Sequence, residues 1–286
     1  MIGFINILKP EGVSSAYAVG AVKKKFNAPC GHMGTLDPMA SGVLPVGVGQ
    51  ASRLFQYMLE KEKRYIAEFK FGVSSDTLDT TGKLTATTAV IPTASQIREC
   101  LKYFVGQIDQ VPPNYSAKCV DGKRGYLLAR RGVEFTLPPK KVQIDSFELI
   151  EQTGDATFSF EISCTGGTYI RSLARDLGEK TGSLAIMSGL ERIKSGIFTK
   201  ETGIGLEEFK SKPIEEVLPF LIKPDSVINF DKLILTDDRA QKILDGVFEN
   251  HGYKDGFYRV YRGEDFFGVG HASGGVLKIK TYVRDL

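Results

Sequence analysis

Two stretches of this 286-residue chain alternate apolar and polar residues with a period of two. In the first, Tyr65, Ala67, Phe69 and Phe71 fall on one side and Glu68 and Lys70 on the other. In the second, Phe158, Phe160, Ile162 and Cys164 share a side. That period belongs to a β-strand with one buried face. Beyond Gly166-Gly167 the period changes, and Ile170, Leu173, Ala174 and Leu177 make the apolar stripe of a helix. A second helix is expected after Ser14 or Ser15, with Val19, Val22 and Phe26 inward. A third opens at Thr93-Ala94-Ser95-Gln96, a capping box ahead of Ile97, Leu101 and Phe104. Short strands are expected over 2–8 and 43–48, with a Gly- and Pro-rich structured loop over 27–42. Strands and helices mix without regular β-α-β alternation. The expected fold class is therefore α+β: a mixed, mostly antiparallel sheet with flanking helices.

After Lys223-Pro224-Asp225 the pattern shifts, and a boundary is expected near residue 226. This divides the chain into 1–226 and 227–286. The second part holds one helix, capped at Thr236 and ended by Gly246, and alternating strands over 257–261, 266–269 and 276–283. It reads as a small β-barrel-like module, near the minimum size for independent folding.

Net charge is only +3, so its distribution matters more than its sum. Residues 227–286 are balanced, with nine basic and nine acidic residues, whereas 118–141 hold seven Lys/Arg against two acids. Lys118, Lys123, Arg124, Arg130 and Arg131 lie among Tyr115 and Tyr126, a composition suited to phosphates and base stacking. The alternative is a solvated amphipathic helix with Leu127 and Leu128 inward. Asp121-Gly122 suits a tight hairpin turn.

Several classes lose ground. There is no apolar run of the ~20 residues a membrane span needs, and the first residues lack the pattern of a secretion signal. Four cysteines are scattered without a C-x-x-C pair, which fits reduced thiols in the cytoplasm. The three histidines lack metal-ligand spacing, and no Walker A loop, G-x-S-x-G elbow or H-E-x-x-H helix occurs. No heptad or long apolar patch stands out, so a monomer is expected.

Four places could carry chemistry. Gly31 to Gly42, GHMGTLDPMASG, packs three glycines, a His, an Asp and a Pro into twelve residues. Pro38 holds Asp37 extended, so its carboxylate either projects into a cleft or is solvated on an Asp-Pro turn. Arg171 follows Gly166-Gly167 at a strand-to-helix junction and could clamp a carboxylate, or lie in a surface ion pair. Tyr65 opens an apolar strand face, where a core tyrosine is the plain alternative. Cys30 and His32 could form a cysteine hydrolase pair, but no third orienting group is apparent.

Together these blocks carry a resemblance. Lys9-Pro10-Glu11-Gly12-Val13-Ser14-Ser15, GHMGTLDPMASGVLPV at 31–46, Lys63-Arg64-Tyr65 and Gly167-Thr168-Tyr169-Ile170-Arg171 resemble the TruB family of tRNA pseudouridine synthases, in the family's order and approximate spacing. The resemblance runs from about residue 3 to 200. It implies isomerisation of uridine 55 in the T-loop (T-stem-loop) of tRNA, with the target base flipped out. It also implies a mixed-sheet catalytic domain followed by a PUA-like RNA-binding module. Asp37 would be the essential aspartate, Arg171 its partner, and Tyr65 the ring stacked on the base. Tyr169 and Leu190 would line the base pocket, His32 would touch RNA, and Lys9 and Pro10 would brace the loop. Arg192 is carried over without the arginine that often precedes it, since Glu191 stands there. Met33 stands where a Thr is frequent, so no hydroxyl hydrogen bond is carried over there, and Ile186 stands where a His is frequent, so no role passes to it. The reaction is redox-neutral and implies no cofactor or metal. A non-catalytic RNA-binding or tRNA-folding protein on the same scaffold is the other reading, but it would not need Asp37, Tyr65 and Arg171 together.

Overall fold

The two period-two stretches pair with each other. Lys63–Phe71 and Thr157–Cys164 run antiparallel, with Tyr65 opposite Ile162 and Phe69 opposite Phe158. The computed structural model describes residues 1–58, 62–116, 119–120, 123–131, 133 and 135–283, with the backbone alone at 119, 120, 123, 124, 126, 129 and 130. The chain divides into two compact units, Pro38–Gly42 with Lys61–Gly196, and Met1–Asp37 with Val43–Glu60 and Ile197–Leu286.

In the unit built on Lys63–Phe71, the strand order is Ala185–Ser195, Lys63–Phe71, Thr157–Cys164, Lys140–Gly154, Gly106–Gln110, all neighbours antiparallel. Ser41 and Gly42 join the free edge of Ala185–Ser195 in parallel, opposite Glu191 and Arg192. Ala67, Phe69, Phe71, Phe158 and Phe160 form the core with Ile97 and Leu101 of Ala94–Leu101 and with Leu173 and Leu177 of Ile170–Lys180. Each Phe, Ile or Leu among these contributes about 1.5–3 kcal/mol when fully buried. Thr93 makes the expected capping box.

In the other unit, Gly3–Lys9 lies between Ile204–Gly205 and Ser41–Val48, and Cys30–His32 pairs with Val46–Val48. Ser14 caps the helix Ser15–Phe26. A five-stranded sheet follows in the order Asp231–Leu235, Gly256–Arg262, Asp265–Ser273, Gly275–Tyr282, Asn250–Tyr253. Leu235, Val260, Ala272 and Leu277 pack with Ala240 and Ile243 of the helix Asp237–Leu244, a separate small core. Val227, Ile228, Val269 and Val283 instead join Phe4, Val43, Leu54 and Phe198 in a second core. The protein is thus an α+β fold with mostly antiparallel sheets. Among the described residues, no helix is long and apolar enough to cross a membrane.

Some local expectations change. Ala18, not Val19, is buried on the first helix, because the stripe follows Ser15, Ala18, Val22 and Phe26. The loop expected over 27–42 contains the strand Cys30–His32. Leu127 in Gly125–Arg130 is 42% exposed, so that helix does not turn both leucines inward. Asp121-Gly122 lies outside the described residues, although Val120 pairs with Lys123 on either side of it.

Gly42 has φ +100°, and a β-carbon there would collide with the Arg192 carbonyl oxygen. No L side chain tolerates both conditions. Gly42→Ala should therefore lower unfolding free energy by about 2 kcal/mol or more, measured by urea denaturation. A change below about 0.5 kcal/mol would show that this edge pairing is dispensable.

Candidate active site

Strand registry sets one face of the Lys63–Phe71 unit. Ile162 and Arg192 stand opposite Tyr65 on either side, so all three side chains share that face. Tyr65 is buried, and Arg192 is the largest fully buried side chain among the described residues. Leu190, one step along and opposite Ala67, is partly buried against the same core. Lys63 is two residues before Tyr65 and therefore on its face, opposite Cys164. Burial, with the charges of Arg192 and Lys140, pulls the Lys63 ammonium down to about 8. Burial pushes the Cys164 thiol up to about 11.

Arg171 stands in the first turn of Ile170–Lys180 and is 7% exposed. It is not the surface arginine that the plain alternative supposed. Its Nη1 donates to the Thr77 carbonyl (2.9 Å) and its Nη2 to the Tyr115 carbonyl (3.1 Å). Nη1 also lies 3.7 Å from Oδ2 of buried Asp79. The other Asp79 oxygen accepts from Thr77 Oγ1, the Thr81 amide and Thr81 Oγ1 at 2.6, 2.9 and 2.6 Å. Between them Leu78 has φ +61°, a left-handed conformation that L residues rarely take, and its carbonyl accepts from the Met187 amide. Tyr169 stands at the N-cap position and is clamped by Gln110, which accepts from its amide (2.8 Å) and donates to its carbonyl (3.1 Å). Sequence reasoning missed Asp79 and Gln110. Asp79 had a visible sign, a carboxylate with Thr at −2 and +2, the pattern of a side-chain-stabilised turn. Gln110 had none.

In the other unit, the backbone ahead of Asp37 is fixed by Ser15. The buried Ser15 hydroxyl accepts from the Leu36 amide (2.9 Å) and donates to the Leu36 carbonyl (2.8 Å). Asp37 is half-buried, and Pro38 begins the segment belonging to the Tyr65 unit. His32 ends the strand Cys30–His32, opposite Val46. Lys9 is buried and donates to the carbonyls of Pro10 (2.8 Å) and Val13 (2.7 Å), so its ammonium ties the loop that follows its own strand. The Cys30 thiol is pushed up to about 11 by burial, the wrong direction for a thiolate nucleophile. Of the basic stretch, Arg131 is exposed. Lys123 and Arg124 form a two-residue strand and Arg130 ends a helix, with side chains not described, and Lys118 lies outside the described residues.

The pattern of the TruB family pseudouridylate synthases (N-terminal domain) matches residues 23–170. This chain belongs to the TruB family. Members named tRNA pseudouridine synthase B include one from Clostridium kluyveri, 38% identical over 279 residues, covering 94% of this chain and 95% of that protein. Another, from Anaplasma marginale, is 42% identical over 233 residues, covering 81% and 76%. Among solved structures, the archaeal box H/ACA sRNP Nop10-Cbf5 complex contains a chain with TM-score 0.69 and 23% identity, covering 98% of this chain and 85% of that one. A chain of the Cbf5-Nop10-Gar1 complex gives 0.66 and 24%, covering 98% and 84%. These structures share the fold of the TruB member described here.

Two outcomes follow from the buried charges. Asp79→Ala removes one member of a buried ion pair and three hydrogen bonds of the 77–81 turn, so it should cost about 3 kcal/mol or more in a urea titration. A loss under about 1 kcal/mol would mean that the Asp79–Arg171 contact contributes little to the fold. The second outcome concerns Lys63. Its folded-state value lies below the ordinary 10.5, so between about 8 and 10.5 the unfolded chain binds more protons. Stability contributed at this site is lowest below 8 and rises through that window. Lys63→Met should melt higher than the parent at pH 7, and the gap should shrink from pH 8 to 10.5. A constant gap would contradict the burial of this ammonium.

Proposed function

We propose that this chain isomerises uridine 55 in the T-loop of tRNA to pseudouridine, with Asp37 as the essential carboxylate. The observation that carries the reading is membership of the TruB family, with relatives named tRNA pseudouridine synthase B aligned along nearly the whole chain. The reaction breaks the carbon–nitrogen bond between uracil and ribose and forms a carbon–carbon bond to the same sugar, so atoms and electrons balance without an outside reagent. Attack on the anomeric carbon, attack on the base and deprotonation of the sugar all need an ionised carboxylate beside the nucleoside.

Asp37 supplies that carboxylate, and Arg171 is its partner. A guanidinium suits this task because it stays protonated at every working pH and its donors are fixed in a plane. Its fixation by the carbonyls of Thr77 and Tyr115 supports the role, since a positioned cation loses little freedom when substrate arrives. Tyr65 gives the freed uracil a flat face on which to turn, with Tyr169 and Leu190 lining the pocket. Flipping the target out of a folded RNA costs a few kcal/mol. Phosphate contacts from Lys118, Lys123, Arg124, Arg130 and Arg131 offset this, while His32 touches RNA near the vacated stack, Lys9 braces the active-site loop and Arg192 acts from within. Residues 227–286 serve as a PUA-like RNA-binding module. The enzyme works as a cytoplasmic monomer.

The test is incubation with a synthetic T-stem-loop followed by mapping of pseudouridine. Asp37→Asn should abolish product while leaving tRNA affinity within a few-fold of the parent. Arg171→Ala should lower kcat by at least about tenfold, the effect of ~1.4 kcal/mol on the barrier. Affinity should fall steeply with salt, as when several phosphates are neutralised. Near-normal turnover by Asp37→Asn would overturn the assignment.

A further inference from the structure

The C-terminal sheet has two unlike faces. Ala272 and Leu277 turn toward the helix Asp237–Leu244, so their neighbours His271 and Lys278 turn the other way. On that other face Phe257, His271 and Lys278 stand directly opposite one another across three antiparallel strands. The Phe257 and His271 rings are 4.6 Å apart. Phe230 stacks on Phe257 at 5.3 Å and 21°. Tyr57 meets both rings edge-on, at 5.7 and 5.8 Å. At the far end of the row the Lys278 ammonium lies 5.4 Å from the centre of the Phe248 ring. Phe257 is 42% and Phe248 45% exposed.

We propose that this row is a stacking platform for a single-stranded segment of RNA, with bases on Phe257 and His271 and a backbone phosphate at Lys278. The choice of RNA rests on the reading of the chain as a tRNA-modifying enzyme. Three features favour this occupant. The Phe257 ring is braced by Tyr57 and Phe230, so it is held in place while 42% exposed. The row ends in a cation beside the Phe248 ring, which suits a polyanion carrying flat bases. It also spans only two strand spacings, ~10 Å, which fits a short unpaired segment better than a duplex. An apolar protein partner would leave the Lys278 ammonium without a counter-charge.

Fluorescence anisotropy of the full chain with a fluorescein-labelled ten-nucleotide oligouridine tests it. Phe257→Ala should weaken binding about tenfold, within the range for loss of one base–aromatic stack. Phe257→Tyr, which keeps the ring and guards against a folding defect, should bind within twofold of the parent. Lys278→Ala should reduce the slope of log affinity against log salt by about 0.7, one phosphate's worth. Unchanged affinity in Phe257→Ala, or no binding by the parent, would overturn the proposal. So would light scattering showing a parent dimer that Phe257→Ala abolishes, because the face would then belong to a second copy. Pseudouridine mapping with the parent enzyme is read separately. If no pseudouridine forms while Phe257-dependent binding persists, the enzymatic reading fails and the platform stands.

Discussion

The first two turns of the helix Ile170–Lys180 hold two loops by three carbonyl oxygens. Arg171 takes those of Thr77 and Tyr115, and Ser172 and Arg175 both take that of Val111. Gln110, just before Val111, returns the grip by clamping Tyr169. A buried carbonyl without a donor costs about as much as a lost hydrogen bond, so these loops cannot leave the helix without exposing that cost. The helix itself is fixed by Ile170, Leu173 and Leu177 in the aromatic core. Position therefore passes from the period-two strands, through the core, to the helix, and from its polar first turn to the surrounding loops. The buried guanidinium is the joint of this chain of dependence, because it faces two loops and a carboxylate at once.

What the sequence made legible was whatever local periodicity controls. Lys63–Phe71, Thr157–Cys164 and Ile170–Lys180 bury one regular face each, so residue spacing alone located them. Ala185–Ser195 pairs directly with the Tyr65 strand yet was not visible. Its ladder shifts between Met187 and Gly189 and again between Arg192 and Lys194, and its buried position opposite Tyr65 is an arginine. Bulges break the period-two signal, and a cation at an inner position reverses it. Lys140–Gly154 was hidden in the same way by three shifts against its neighbour. Cys30–His32 is too short to show any period.

The site divides similarly. The glycine-rich Asp37 segment and the Gly167–Arg171 block are contiguous and compositionally unusual, so both stood out. Ser15, Asp79 and Gln110 act on residues 21, 92 and 59 positions away. No local pattern encodes such distances. Ser15 is instructive, because its place in the first turn of a helix invites a capping role. Ser14 does the capping, and Ser15 is free to hold the backbone next to Asp37.

Residues 77–79 concentrate three unfavourable terms. Leu78 holds a left-handed backbone, Asp79 is a buried carboxylate, and Arg171 beside it is a buried cation. The first costs of order 1–3 kcal/mol, and burying two charges costs several more before their attraction offsets it. Apolar side chains of similar volume would often be as stable or more so. They would not aim a fixed positive charge or hold Thr77 so that its carbonyl meets Arg171. The arrangement therefore makes sense as positioning, with stability supplied by the phenylalanine-rich core on the same sheet. It also explains why the strain lies in the turn and not in the helix. A turn can absorb one unfavourable φ, whereas a disturbed helix would release both loops together.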